Sequence, residues 1–228
     1  MTRRKVANPL ALAVLACLSE RPMHPYEISS TLRSRGKELS VKLNYGSLYS
    51  VVEALERHGL IRAKETVRQG RRPERTVYEI TEAGATECED WLAELLSTPV
   101  REYTSLEAGL SFMPLLGPDE VARLLAGRAD RLRMELRALD ASAAVAGDMQ
   151  LPEVFLVEGS YRRALLVAEL DFVVDLAHRI SQGTLGGVAG WRRMQELMAQ
   201  GISLEEITQD PQSFFGEEGR VFQPHPPR

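Results

Sequence analysis

Residues 44–80 read NYGSLYSVVEALERHGLIRAKETVRQGRRPERTVYEI, and a change of period inside this stretch decides the fold. From Asn44 to about His58 the apolar residues Leu48, Val51, Val52 and Leu55 recur at helical spacing, and Gly59 supplies a stop. From Ile61 the pattern switches to alternation. Ile61, Ala63, Glu65 and Val67 alternate with polar partners, and so do Thr76, Tyr78 and Ile80. Between the two runs lies Gln69-Gly70-Arg71-Arg72-Pro73-Glu74. The pattern predicts a helix followed by a β-hairpin with a long, basic tip.

Toward the N-terminus, Pro9 suits the first turn of a helix, where its missing N–H costs nothing. Leu10, Leu12, Ala13, Leu15, Ala16 and Leu18 make that helix apolar nearly all round, as befits the middle of a small domain. Glu20-Arg21-Pro22 stops it. A second helix is expected from about His24 to Arg35, with Tyr26, Ile28 and Leu32 facing inward and Gly36 ending it. After the hairpin, Thr81 reads as the N-cap of a fourth helix reaching about Leu96. Three helices, a hairpin and a closing helix are the order of a winged helix-turn-helix.

Thr98-Pro99-Val100-Arg101-Glu102 breaks the pattern, and the chain beyond it reads as all-helical. A short helix is expected from Ser105 to Met113. In the helix opened by Pro118, Leu125, Ala129, Leu132, Leu136, Leu139 and Ala143 alternate spacings of four and three. Such a seam can mate with a helix of the same chain or of another. A long helix from about Glu153 to Gln182 carries Val157, Tyr161, Leu165, Ala168, Phe172, Leu176 and Ile180 on one stripe. The glycine-rich Gly183–Gly190 leads to a helix from Trp191 to Gln200, and Ser203 with Glu206 forms a capping box. The expected organisation is a basic arm (1–8), a winged helix-turn-helix domain (9–98), a helical domain (103–210) and a mobile, proline-containing tail (211–228). The expected fold class is mainly α with a small β-hairpin wing.

The 228 residues are 44% hydrophobic and 26% charged, ordinary for a globular protein and too apolar for a disordered one. The net charge of −4 hides an asymmetry. Residues 1–81 hold fifteen Lys/Arg against eight Asp/Glu, a charge of +7; the remainder holds thirteen against twenty-four, a charge of −11. Only the first part is suited to a polyanion. The apolar stretch after Pro9 is too short to span a membrane and no cleavage site follows it, so a cytoplasmic location is expected. Cys17 and Cys88 sit in helical patterns without ligand partners at motif spacing, which predicts buried thiols and no metal. The four histidines are scattered, no G-x-S-x-G or P-loop occurs, and Gly183-Thr184-Leu185-Gly186-Gly187 joins two helices. Neither catalytic residues nor a cofactor are expected.

A helix enters the major groove with its N-terminal residues at the base edges. The third helix opens with Asn44, Tyr45, Gly46, Ser47 and Tyr49, and Lys42 precedes it. Asn can pair with adenine, hydroxyls suit phosphates or base edges, and Gly46 lets the backbone approach the duplex. Asn44 fits an N-cap role equally well, and Tyr49 fits core packing as well as the groove. Arg71, Arg72 and Arg75 on the hairpin can reach the minor groove or clamp phosphates.

These residues resemble the PadR-type transcriptional regulators. Leu12–Leu18 followed by Arg21-Pro22-Met23-His24-Pro25-Tyr26-Glu27-Ile28 is similar to the opening of that family, with Pro25 where glycine is usual. Tyr45-Gly46-Ser47-Leu48-Tyr49, Leu55–Ile61 and Tyr78-Glu79-Ile80-Thr81-Glu82-Ala83-Gly84 match in order and spacing. The C-terminal half is similar in length and helix order to the long subfamily, whose C-terminal helices dimerise. The resemblance implies a homodimeric repressor on a palindromic operator of double-stranded DNA, released in some members by a small, often aromatic, effector. Two recognition helices related by a two-fold axis can occupy successive major grooves about 34 Å apart. Leu132, Leu136, Leu139, Tyr161, Leu165 and Phe172 are the candidate interface residues; each can instead belong to an intrachain core. The alternative is a winged-helix ligand sensor or protein-interaction adaptor with weak or no specific DNA binding.

Overall fold

The computed structural model describes residues 6–67 and 75–216. They form two compact units, Met1–Glu102 and Tyr103–Arg228.

In the first unit α1 (Pro9–Glu20) is the central helix. Asn8 caps it by accepting from the Leu10 N–H at 3.0 Å, and Leu10, Ala11, Val14, Leu15, Cys17 and Leu18 are all buried. α2 (Pro25–Ser34) starts from a capping box: His24 Nδ1 accepts from the Tyr26 N–H at 3.0 Å, and Glu27 Oε2 accepts from the His24 N–H at 2.9 Å. Its buried face is Pro25, Ile28, Ser29 and Leu32. Tyr26, expected to face inward, is 55% exposed. With Pro25 as the first helical residue, the inward row runs i, i+3, i+4, i+7 from Pro25, and Tyr26 falls beside it. A 3₁₀ turn (Lys37–Leu39) leads to α3 (Tyr45–Arg57), which buries Leu48, Val51, Val52 and Leu55 against α1 and α2.

Gly59, at φ 73°, turns the chain into β1 (Ile61–Val67), which pairs antiparallel with β2 (Arg75–Ile80). The register runs from Ile61 opposite Ile80, with a bulge between Ala63 and Glu65. Met23 joins this ribbon. It exchanges two 3.0 Å backbone hydrogen bonds with Tyr78, as one residue of a third strand would. Thr81 then caps α4 (Glu82–Ser97): its Oγ1 accepts from the Gly84 N–H at 3.1 Å and donates to the Gly59 carbonyl at 2.7 Å. Gly84 packs so closely on the preceding turn that a Cβ there would lie 1.9 Å from the Leu60 carbonyl oxygen. Cys17, Cys88 and Trp91 complete the core, and burial pushes both thiols above the ordinary cysteine pKa.

The second unit is helical: α5 (Ser105–Ser111), α6 (Pro118–Asp148), α7 (Val157–Ser181), α8 (Val188–Ala199), α9 (Leu204–Gln209) and α10 (Pro211–Phe215). α6 and α7 form a long antiparallel hairpin. Val121, Leu125, Ala129 and Leu132 of α6 share a core with Val173, Leu176 and Ile180 of α7 and with Val188, Trp191, Met194 and Leu197 of α8. The Trp191 indole N–H donates to the Leu116 carbonyl at 2.8 Å. Position 211, where a mobile tail was expected to begin, instead opens α10: Asp210 caps it, Pro211 is buried, and Phe214 and Phe215 pack on the core. Residues 217–228 of that expected tail lie outside the described residues.

No helix among the described residues is long and apolar enough to cross a membrane.

Candidate nucleic-acid interface

The expected DNA-reading residues fall at the start of α3. Lys42 is exposed ahead of it, and Asn44 is its N-cap, accepting from the Ser47 N–H at 2.7 Å. The cap role is therefore occupied. The Asn44 amide NH₂ remains a donor for a base edge, while its oxygen already holds the helix start. Tyr45 is the first residue of α3. Gly46 is exposed, with open space where its Cβ would stand apart from Asn44 Oδ1 at 4.0 Å. Ser47 is half-buried. Tyr49, for which core packing was an equal alternative, is 45% exposed. The core row Leu48, Val51, Val52 and Leu55 turns Tyr49 outward.

Periodicity picks out further residues on the same outward face. Ser50 and Glu53 are exposed, four and seven residues beyond Gly46, and Arg57 lies in the last turn. Their sequence signal is the outward row continued by threes and fours beyond the helix start. The Ser50 hydroxyl donates to the Gly46 carbonyl at 3.1 Å.

On the hairpin, Arg75 opens β2 and is exposed. Arg71 and Arg72, and the arm residues Arg3, Arg4 and Lys5, lie outside the described residues. The described strands add two cations that were not singled out, Arg62 and Lys64, both bound to Glu79. His24 lies near enough to Arg75 for its positive charge, after burial, to hold the imidazole pKa below the ordinary value, with Glu27 opposing.

The expected interface residues of the second unit separate into two groups. Leu132 and Leu136 are buried, and the helix they line packs on α7 of the same chain, so the seam mates internally; Leu139 is half-buried. Tyr161, Leu165 and Phe172 are 67%, 54% and 50% exposed. The stripe on α7 does not stay on one face. At about 100° per residue, 23 residues from Val157 to Ile180 turn it by about 140°. Its far end, Leu176 and Ile180, enters the core, while Val157, Tyr161, Leu165 and Phe172 leave an uncovered apolar row.

The family model described as transcriptional regulator PadR-like matches residues 14–90. Among solved structures, Bacillus subtilis PadR in complex with operator DNA is similar over 76% of this chain and 99% of its own, at TM-score 0.60 and 19% identity. Bacillus subtilis PadR in complex with p-coumaric acid is similar over 75% and 98%, at TM-score 0.61 and 16% identity. The protein smu.1604c from Streptococcus mutans UA159 is similar over 74% and 97%, at TM-score 0.53 and 21% identity. No curated protein matches the sequence. The likeness to these structures covers both units and gives the fold. The residues matched by the family model run from inside α1 through α2, α3 and the β1–β2 wing into α4, so the winged unit is what is similar to the PadR-like transcriptional regulators.

Proposed function

We propose that this protein is a homodimeric transcriptional repressor that binds a palindromic operator through α3 and the β1–β2 wing. The observation that carries this reading is the outward face of α3. Asn44, Gly46, Tyr49 and Ser50 are exposed there, while the opposite row holds the helix rigidly in the core. A rigid helix with amide and hydroxyl groups outward has the chemistry of major-groove readout. Arg75, and Arg71 and Arg72 beyond it, supply phosphate or minor-groove contacts. The solved complex of Bacillus subtilis PadR with operator DNA supports the same use of this fold.

Dimerisation rests on the uncovered row Val157, Tyr161, Leu165 and Phe172, since an exposed apolar row on a helix marks an interaction surface. One recognition helix reads only a few base pairs, and pairing doubles the site. A small, flat effector that releases the operator is part of the reading. It is supported by the p-coumaric acid complex of the Bacillus subtilis protein. The action is then cytoplasmic, beside the promoter.

The test is a gel-shift titration on the DNA upstream of the protein's own gene, with scrambled competitor, at two salt concentrations. A specific site binds about a thousandfold or more tighter than random DNA. A competitor-resistant shift, with footprints about one helical turn apart, is expected. If the same ratio stays near one on every site recovered by genome-wide selection, the proposal is wrong.

A further inference from the structure

The hairpin holds a three-charge cluster that core packing does not require. Arg62 on β1 stands directly opposite Glu79 on β2. Arg62 Nε and Nη2 both lie 2.8 Å from Glu79 Oε1, and Lys64 Nζ lies 3.3 Å from Oε2. Each carboxylate oxygen thus takes one cation. The bulge between Ala63 and Glu65 leaves Lys64 without a cross-strand position of its own, so its ammonium turns diagonally to Glu79. The side chains of Arg62 and Lys64 are 70% and 48% exposed. Hydrogen bonding from Arg62, with Lys64 adding to it, holds the Glu79 carboxyl below the usual carboxylate range. It is ionised at every pH at which binding would be assayed.

Ion pairs this exposed contribute little to folding. Beside a polyanion their charge matters more, because each cation that reaches a phosphate releases counterions and steepens the salt dependence by about 0.9. Two strand cations without Glu79 would add two such contacts regardless of sequence. With Glu79 the cluster carries a net single positive charge.

We propose that Glu79 is a brake on the wing's sequence-independent attraction for DNA: by binding Arg62 and Lys64 it withholds charge from the phosphates and widens the gap between operator and random duplex. The proposal rests on the reading of this protein as a DNA-binding regulator. Its ligand chemistry is the phosphate backbone, and Glu79 is a positioning residue acting through the two cations.

The experiment compares wild type, Glu79→Gln, the double variant Arg62→Ala with Lys64→Ala, and the triple variant. Each full-length protein is titrated with a random duplex and with the selected operator across a salt series. Glutamine keeps the shape and removes only the charge, and thermal melting verifies each fold. Glu79→Gln is expected to steepen the salt slope on random DNA by about one. That is an extra loss of about three- to fourfold between about 50 and 200 mM salt, with tighter random binding at the low end. The operator-to-random ratio falls. The triple variant is expected to gain over the double only the small relief of one carboxylate's repulsion, well under the gain of Glu79→Gln over wild type, because without the cations there is nothing to release. A Glu79→Gln slope equal to or shallower than wild type overturns the proposal, as does a triple variant that gains as much over the double on random DNA as Glu79→Gln gains over wild type. A wild type that prefers operator while Glu79→Gln keeps its slope sinks the brake alone. A wild type without operator preference sinks the regulator reading, and the random-DNA slope still decides the brake. A wild type that binds no DNA sinks both.

Discussion

Arg128 on α6 and Glu169 on α7 meet at 2.6 Å across the long hairpin, and their neighbours repeat the contact with the signs exchanged. Seven residues further along α6 and seven back along α7, Glu135 meets Arg162, also at 2.6 Å. Asp140 and Arg163 add a third pair at 2.7 Å. Because the cation changes helix between the first two pairs, a slip of α7 by two turns would set like charges together. Charge reversal at Arg128→Glu or Glu169→Arg alone is expected to cost about 1 kcal/mol, a fall in Tm of about 2–4 °C. The double reversal is expected to recover most of it. Thermal melting of the three variants decides, and equal losses in the single and double reversals would show that the pair does not set the register.

Gly84→Ala is expected to be the most damaging small substitution in the winged unit. The added methyl would meet backbone, the Leu60 carbonyl oxygen at 1.9 Å, and no side chain can swing aside to admit it. Overpacking of this kind costs about 1–3 kcal/mol or more. Gly46→Ala, with open space at the same atom, is expected to leave stability nearly unchanged. Paired melting curves separate the two glycines, and comparable Tm values would contradict the close approach of α4 to the β1 turn.

Asn44 can be divided into its two roles by substitution. Asp caps a helix as well as Asn does, so Asn44→Asp is expected to keep the bond to the Ser47 N–H and hold Tm close to wild type. It loses the amide donor and sets a negative charge at the DNA surface. Operator affinity is expected to fall at least tenfold, about the value of one good base contact. Asn44→Ala is expected to lose both, with about 1 kcal/mol of stability. Unchanged operator binding by Asn44→Asp would confine this residue to capping.

Leu165→Glu with Phe172→Glu tests the uncovered row on α7. Both side chains are at least half exposed and outside the core, so the fold is expected to survive. Sedimentation equilibrium is expected to show a shift from dimer to monomer, with operator affinity falling in parallel. A variant that still sediments as a dimer would move the interface to another face.

His24 gives the winged unit a pH dependence of predictable sign. Its Nδ1 accepts from the Tyr26 N–H, so the neutral ring caps α2 and a proton on that nitrogen ends the cap. Burial first, then Arg75, lowers its folded pKa below the ordinary value of about 6.5. In the window between the two values the unfolded chain binds the extra proton. Stability is therefore full above about pH 6.5 and falls as the pH drops through that window toward the folded pKa. His24→Asn keeps a capping group without a titrating one and is expected to flatten Tm across this range. Parallel losses in wild type and variant would assign the acid sensitivity elsewhere.

The order of helices and hairpin was legible because each boundary carries its own local chemistry: Asn44 and Thr81 as caps, Gly59 as a stop, and the switch from helical to alternating period at Ile61. Side-chain direction was less legible. Tyr26 and Tyr49 turned out exposed because the helical phase is set by neighbours, Pro25 for one and Leu48 for the other, and a list of apolar residues does not contain that phase. The α7 stripe misled for a related reason, since spacings of three and four hold a face over two turns and drift off it over six. The grip of Glu79 on Arg62 and Lys64 depends on cross-strand register and a bulge, and alternation within one strand encodes neither.

The pair of backbone hydrogen bonds between Met23 and Tyr78 ties the front of the winged unit to its back, across more than fifty residues of chain. Contacts that distant in sequence form late, because the loop between them must close before the bond repays the cost of closing it. The ribbon and the turn before α2 should therefore gain amide protection together, after α1 and α3. In hydrogen exchange these two amides become a built-in reporter of closure. As long as they exchange slowly the turn before α2 and the wing are joined, and their exchange rate measures how often that join opens.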